Sequence, residues 1–152
     1  MEEKLFNQIS EDIKKAMLAK EKIALEALRG VKKEFLEART AKGSDGTLHD
    51  DAALKILQKM VKQRKESAQI FTEQNRRDLA DNELTEAIVI EKYLPAQMND
   101  AELTAAVSAI IAQVGATTPQ EMGKVMGVAS KQLAGKADGR AISEKVKELL
   151  NK

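Results

Sequence analysis

Apolar residues recur along most of this chain at intervals of three and four, a spacing that gathers them on one side of a helix. Leu5, Ile9, Ile13 and Ala16, flanked by Phe6 and Met17, predict a first helix over Glu2 to Ala19. Ala24, Leu28, Val31, Phe35 and Ala38 predict a second over Lys22 to Lys42, and Leu25 and Leu36 widen its apolar face enough to bury it on two sides. Gly30 falls inside that pattern without ending it. Gly43-Ser44-Asp45-Gly46 is the clearest turn, because its glycines and aspartate favour backbone conformations that a helix does not use. A third helix, from Asp50 to about Thr72, turns Leu54, Leu57, Val61, Ala68 and Phe71 inward. After a bend at Asn75-Arg76-Arg77-Asp78-Leu79, a fourth runs to Leu94 with Leu84, Ala87, Ile88 and Glu91 on one side. The residue before a proline avoids helical geometry, so Tyr93-Leu94-Pro95 stops this helix and makes the best domain boundary.

A fresh amphipathic unit follows. Asn99 to Glu102 reads as a helix start, and Leu103, Val107, Ile110, Ile111 and Val114 as the apolar face of a helix that Gly115 closes. Thr118 as N-cap, Pro119 in the first turn and Glu121 completing a capping box start another, with Met122, Val125, Met126, Ala129 and Leu133 in its apolar stripe. A last helix carries Ile142, Val146, Leu149 and Leu150. The expected fold is therefore all-α, with an N-terminal domain of about four helices over residues 1–95 and a small three-helix C-terminal domain over residues 96–152. Composition agrees: there is no Trp, one Tyr and three Phe, and helix formers take their place. With 152 residues and 43% hydrophobic content, a real core is available.

Charge narrows the function. The 25 basic and 24 acidic residues nearly cancel, so any nucleic-acid binding has to use local patches. The first patch is on the third helix, where Lys55, Lys59 and Lys62 project together and Lys55 to Lys65 holds five basic residues and no acid. The chain has no cysteine, hence no disulfide framework and no thiolate metal site. His49 beside Asp50 and Asp51 brings three metal-binding side chains into a row, but consecutive helical residues point in different directions, and capping is the better reading. No cofactor or metal is expected. The start lacks a basic, apolar leader and no stretch approaches the ~20 apolar residues of a membrane span, which sets the expectation of a cytoplasmic protein with no membrane partner.

The stretch Thr118 to Gly139 breaks ordinary helix rules. Opposite its apolar stripe, Gly123, Gly127, Ser130 and Ala134 form a face of small residues only, with Lys124 and Lys131 beside it. An interior glycine costs roughly 1 kcal/mol relative to alanine, so two on one face imply close approach to the backbone. A neighbouring helix packed there is one reading, and a phosphate backbone lying along it is the other. The second gains from Gly135-Lys136-Ala137-Asp138-Gly139-Arg140, a turn with two more cations leading into a helix start, although Asp138 is also placed to cap that helix.

Several spans together resemble the GatB/YqeY family: Lys62-Gln63-Arg64-Lys65-Glu66-Ser67, Arg77-Asp78-Leu79, Tyr93-Leu94-Pro95, Val114-Gly115-Ala116, Met122-Gly123-Lys124-Val125-Met126-Gly127 and Gly135-Lys136-Ala137-Asp138-Gly139. Asn75 departs from the family's pattern, which has glycine before Arg76. The resemblance implies an amino-terminal helical part and a three-helix module similar to the tail of the GatB subunit of the tRNA-dependent amidotransferase, where it helps recognise the tRNA body. GatB's catalytic portion and the ammonia-releasing amidase have no counterpart in these residues.

Three functions follow as expectations. The first is an accessory protein that binds tRNA or structured RNA by shape and phosphates, through Lys124, Lys131, Lys136 and Arg140 around Gly123 and Gly127, with Lys55, Lys59 and Lys62 as a second patch. The scarcity of aromatic residues argues against stacking single-stranded bases. The second is a protein-interaction module whose glycine face receives a partner's helix. The third is amidotransferase-type carbon–nitrogen chemistry, for which no catalytic residues stand out.

Overall fold

A computed structural model describes residues 3–151 and forms seven α-helices, with no strand among the described residues. The chain divides into two compact units, Met1–Leu94 and Pro95–Lys152.

The first unit contains α1 (Lys4–Ala19), α2 (Lys22–Arg39), α3 (Asp50–Glu73) and α4 (Arg77–Glu91). The expected start of α1 at Glu2 lies outside the described residues. Ile9, Ala27, Val31, Phe35, Leu57 and Ile90 make a solvent-free core. Each of these side chains larger than Ala27 contributes roughly 1.5–3 kcal/mol on full burial. The α3–α4 bend is an αL-type C-cap: Asn75 adopts φ +60°, its N–H donates to Thr72 O, and the Arg76 N–H donates to Phe71 O. Asparagine tolerates this left-handed geometry better than other side-chain-bearing residues, so it can stand where the family pattern has glycine. Between α2 and α3, Arg39 bridges the Glu3 carboxylate and the Gly46 carbonyl and lies 4.7 Å over the Phe6 ring.

Two expectations about this unit are corrected. Helix α2 stops at Arg39, because the Thr40 hydroxyl and the turn that follows bond back to its last carbonyls, and of the two leucines expected to widen its face Leu25 packs against the core whereas Leu36 is exposed. The face of α4 is rotated from the expected one: Ala80, Ala87 and Ile90 are buried, whereas Leu84 and Ile88 are exposed and Glu83 and Glu86 are half-buried. Apolar residues all around α4 left its inward side undetermined by periodicity; packing against α3 and α2 decides it and buries the small Ala80 and Ala87. Tyr93, just past α4, donates its phenol to the Asp12 carboxylate. Desolvation and that neighbour raise the pKa of the phenol well above its ordinary value.

The second unit comprises α5 (Asp100–Val114), a 3₁₀ turn over Pro119–Glu121, α6 (Met122–Gln132) and α7 (Gly139–Leu150). Its core joins Leu103, Val107 and Ile110 of α5 to Val125 and Ala129 of α6 and to Ile142, Val146 and Leu150 of α7. The capping box of α5 forms in full, with the Glu102 N–H donating to Asn99 at 2.8 Å and the Asn99 N–H donating to Glu102 at 3.0 Å. Gly115 closes the helix at φ +71°. The start of α6 differs from expectation. Thr118 accepts no capping bond from the backbone, its hydroxyl instead donates to Glu121, and the proline-led turn is 3₁₀ before the α-helix begins. Lys145 is buried, and its ammonium bridges the exposed carboxylates of Asp100 at 2.8 Å and Glu148 at 3.3 Å. The hydrogen bond to Asp100 is the largest cause raising its pKa.

Candidate nucleic-acid interface

The interface is built on α6 and the turn that follows it. Val125 and Ala129 face the core, with Met122 and Met126 at its edges, which points Gly123 and Gly127 outward on the opposite side. A Cβ built on either glycine meets no atom within 4 Å. Among the described residues of the second unit, no helix takes the place of the neighbour that one of the two readings allowed on this face. Ala134 is buried past the end of α6 and drops out of the face, while Ser130 stays half-exposed at its border.

Lys124 and Lys131, seven residues apart, are both exposed. Two helical turns separate them by roughly 10 Å along the axis. Lys136 is exposed on the turn between α6 and α7. None of these three lysines has a carboxylate within 4.0 Å among the described residues. The backbone carrying Lys136 is fixed: the Lys136 carbonyl accepts from the Met98 N–H at 2.9 Å, and the neighbouring Gly135 carbonyl accepts from the Gln97 side chain at 2.7 Å. Gly135 sits at φ +77°, in the left-handed region that suits glycine.

Two members of the expected site are held otherwise. The Arg140 guanidinium is paired with Glu144 at 3.2 Å, one turn along α7. At the N-terminus of α7, where anion binding and an Asp138 cap were the two readings, the Asp138 carboxylate forms the cap and accepts from the Arg140 N–H. The chain's own carboxylate thus stands where an incoming phosphate would have to bind.

The second expected patch, on α3, is altered by its surroundings. Lys55, Lys59 and Lys62 are exposed. Lys65 is paired with Glu91 at 2.6 Å and Arg64 with Glu86 at 3.6 Å, both acids supplied by α4. Lys59 borders a groove shared with Glu34 and Glu37 of α2. The run of five cations is therefore interleaved with acids from two neighbouring helices, and it makes no continuous basic surface. Gly30 lies beside Arg64, where a Cβ would meet the guanidinium at an ordinary contact distance of 3.4 Å. Burial raises the pKa of Glu86 despite Arg64.

His49 contacts Asp45 at 3.1 Å, and Asp50 accepts from the Leu5 N–H. His49 makes no side-chain capping bond, contrary to the expected cap. No group of three His, Cys, Asp or Glu side chains suited to a metal occurs among the described residues. No single described helix is long and apolar enough to cross a membrane.

A family model described as Yqey-like protein matches residues 6–150. Curated relatives named "Altered inheritance of mitochondria protein 41, mitochondrial" include one from Lachancea thermotolerans, 30% identical over 73% of this chain and 60% of its own length. Another, from Meyerozyma guilliermondii, is 39% identical over 58% of this chain and 45% of its own length. A third, from Kluyveromyces lactis, is 28% identical over 91% of this chain and 72% of its own length. The chain thus spans about half of the length of the first relatives it matches. Their names overturn the expectation of a cytoplasmic protein. That expectation leaned on the absence of cysteine together with the missing leader and apolar span, none of which decides the compartment, and a cysteine-free helical fold suits any compartment that does not rely on disulfides.

Proposed function

Because the chain belongs to the Yqey-like protein family, with a match over residues 6–150, we propose that it binds tRNA or a similarly structured RNA through the outer face of α6 and the Lys136 turn. The observation that carries this reading is the pairing of bare backbone at Gly123 and Gly127 with three exposed lysines that have no carboxylate within 4.0 Å among the described residues. Folded RNA presents ridges of phosphate and 2′-hydroxyl groups, and its base edges are mostly inaccessible. A smooth helical face lets such a ridge approach to backbone distance, and lysines on one side and at one end bind its phosphates. This mode reads shape and tolerates sequence. The relatives' names point to an organellar setting for this role.

The test is a gel-shift titration with an unmodified tRNA transcript over a range of salt. The wild-type protein should bind at low salt and weaken steadily as counterions compete. The variant Lys124→Glu, Lys131→Glu, Lys136→Glu should lose about 100-fold or more in affinity, as expected for several phosphate contacts converted to repulsions. Equal binding by that variant contradicts the proposal. A helical protein partner that is retained on the same face after nuclease treatment, and is lost in the triple variant, would instead make it a protein-docking surface.

A further inference from the structure

A second surface, in the amino-terminal unit and independent of the RNA reading, has the opposite charge. A groove of about 400 Å³ opens where the start of α2, the end of α3 and the start of α4 meet. Its apolar lining is Ile23, Phe71 and Leu79; Glu26, Glu83 and Glu86 supply its carboxylates. Ile23 is 39% exposed and Phe71 and Leu79 are half-buried, so water contacts hydrocarbon along the groove. Three carboxylates share this lining with one amine, Lys22. Arg64 reaches Glu86 from α3, whereas Glu26 and Glu83 have no cation within 4.0 Å among the described residues.

The three carboxylates repel one another. Burial is the first cause raising the pKa of Glu86, Arg64 opposes it, and Glu83 and Glu26 then raise it further. A half-buried carboxylate beside two like charges is stabilised by an added cation. Water alone does not offset both features of this groove, exposed hydrocarbon and crowded negative charge. A segment offering apolar and cationic side chains together would do so.

We propose that this groove docks an amphipathic helical segment of a partner protein that presents leucine-type side chains flanked by arginine or lysine. Its apolar side chains cover Ile23, Phe71 and Leu79, and its cations meet Glu26 and Glu83. Charge complementarity sets the choice of partner: nucleic acid is repelled by the same carboxylates, and an acidic peptide likewise. The groove has room for two or three side chains, consistent with helix-in-groove recognition by a few anchors spaced three and four apart.

The probe is a fluorescein-labelled helical peptide of about 16 residues, with leucine at every third and fourth position and arginine beside them, titrated into the full chain by anisotropy. Backbone amide shifts in NMR locate the contact. Expected is saturable binding that weakens with salt, with the largest shifts at Ile23, Phe71 and Leu79. The variant Glu26→Gln, Glu83→Gln should weaken binding about tenfold while its thermal melt stays at or above that of the wild type, since it removes repelling charges. The same peptide with glutamate in place of arginine should not bind. Four results would each overturn the proposal: no binding of the arginine peptide, shifts centred elsewhere, unchanged affinity in the glutamine variant, or displacement of the peptide from Ile23, Phe71 and Leu79 by direct tRNA binding there. Concentration-dependent self-association of the wild type that the glutamine variant abolishes would also overturn it, by giving the groove to a second copy of the chain. Because the readout lies wholly within residues 22–86, failure here leaves the RNA reading intact, and failure of the RNA reading leaves this one.

Discussion

Two helices of this protein, α3 and α6, each carry a row of exposed lysines, and their neighbours treat those rows differently. On α3, Arg64 and Lys65 pair with Glu86 and Glu91, and Lys59 shares a groove with Glu34 and Glu37. On α6, Lys124 and Lys131 stand beside two glycines with open space above them and no carboxylate within 4.0 Å among the described residues. A basic run is thus a poor guide to a basic surface until the facing helix is known. The acids that neutralise α3 lie about 20 to 30 residues away along the chain. The α6 row is shorter and less conspicuous, yet it is the one left open.

The largest contrast should appear when the two rows are reversed in charge separately. Lys124→Glu, Lys131→Glu, Lys136→Glu should lose tRNA affinity by about two orders of magnitude, whereas Lys55→Glu, Lys59→Glu, Lys62→Glu should change it by less than about threefold, measured side by side by gel shift at one salt concentration. A comparable loss from both sets would erase the distinction between the helices.

A smaller effect tests why the α3 row is neutralised. Arg64→Met should destabilise the first unit by about 2 kcal/mol at pH 7 in urea melts, the scale of a lost hydrogen bond to a charged group. Its sign with pH follows from Glu86. A carboxyl whose pKa is raised in the folded state binds its proton more tightly there than in the unfolded chain. Its favourable contribution is therefore full below the ordinary value near 4.5 and is lost as pH rises through the raised folded value. The Arg64→Met penalty should accordingly shrink toward pH 4. A penalty independent of pH would mean that Arg64 acts through packing over Gly30 alone.

Much of the fold was legible because local rules agreed with tertiary packing. Asn99 and Glu102 announced α5, Gly115 ended it, Asp138 capped α7, and the stripes from Met122 and Ile142 met in one core. Reading failed where several faces of a helix were equally apolar. On α4, Leu84 and Ile88 looked inward by periodicity, but the small Ala80 and Ala87 take the buried side. The candidate interface was half legible. Glycines facing away from the apolar stripe could be placed by counting at 100° per residue and the closed α7 terminus by Asp138 at its cap position, whereas the capture of Arg140 by Glu144 depended on side-chain geometry. The acid-lined groove had no sequence signal, since Ile23, Phe71 and Glu83 are brought together only by tertiary packing.

The central claim is that α6 keeps its backbone bare for a ligand, at a cost to its own stability. Gly127→Leu tests it directly, with thermal melting and tRNA affinity measured on the same sample. The side chain projects into open space and replaces a poor helix former, so the helix should gain about 0.5–1 kcal/mol. If a ridge of RNA lies against that face, affinity should nevertheless fall at least tenfold. A variant that melts higher and binds tRNA as well as the wild type would contradict the account.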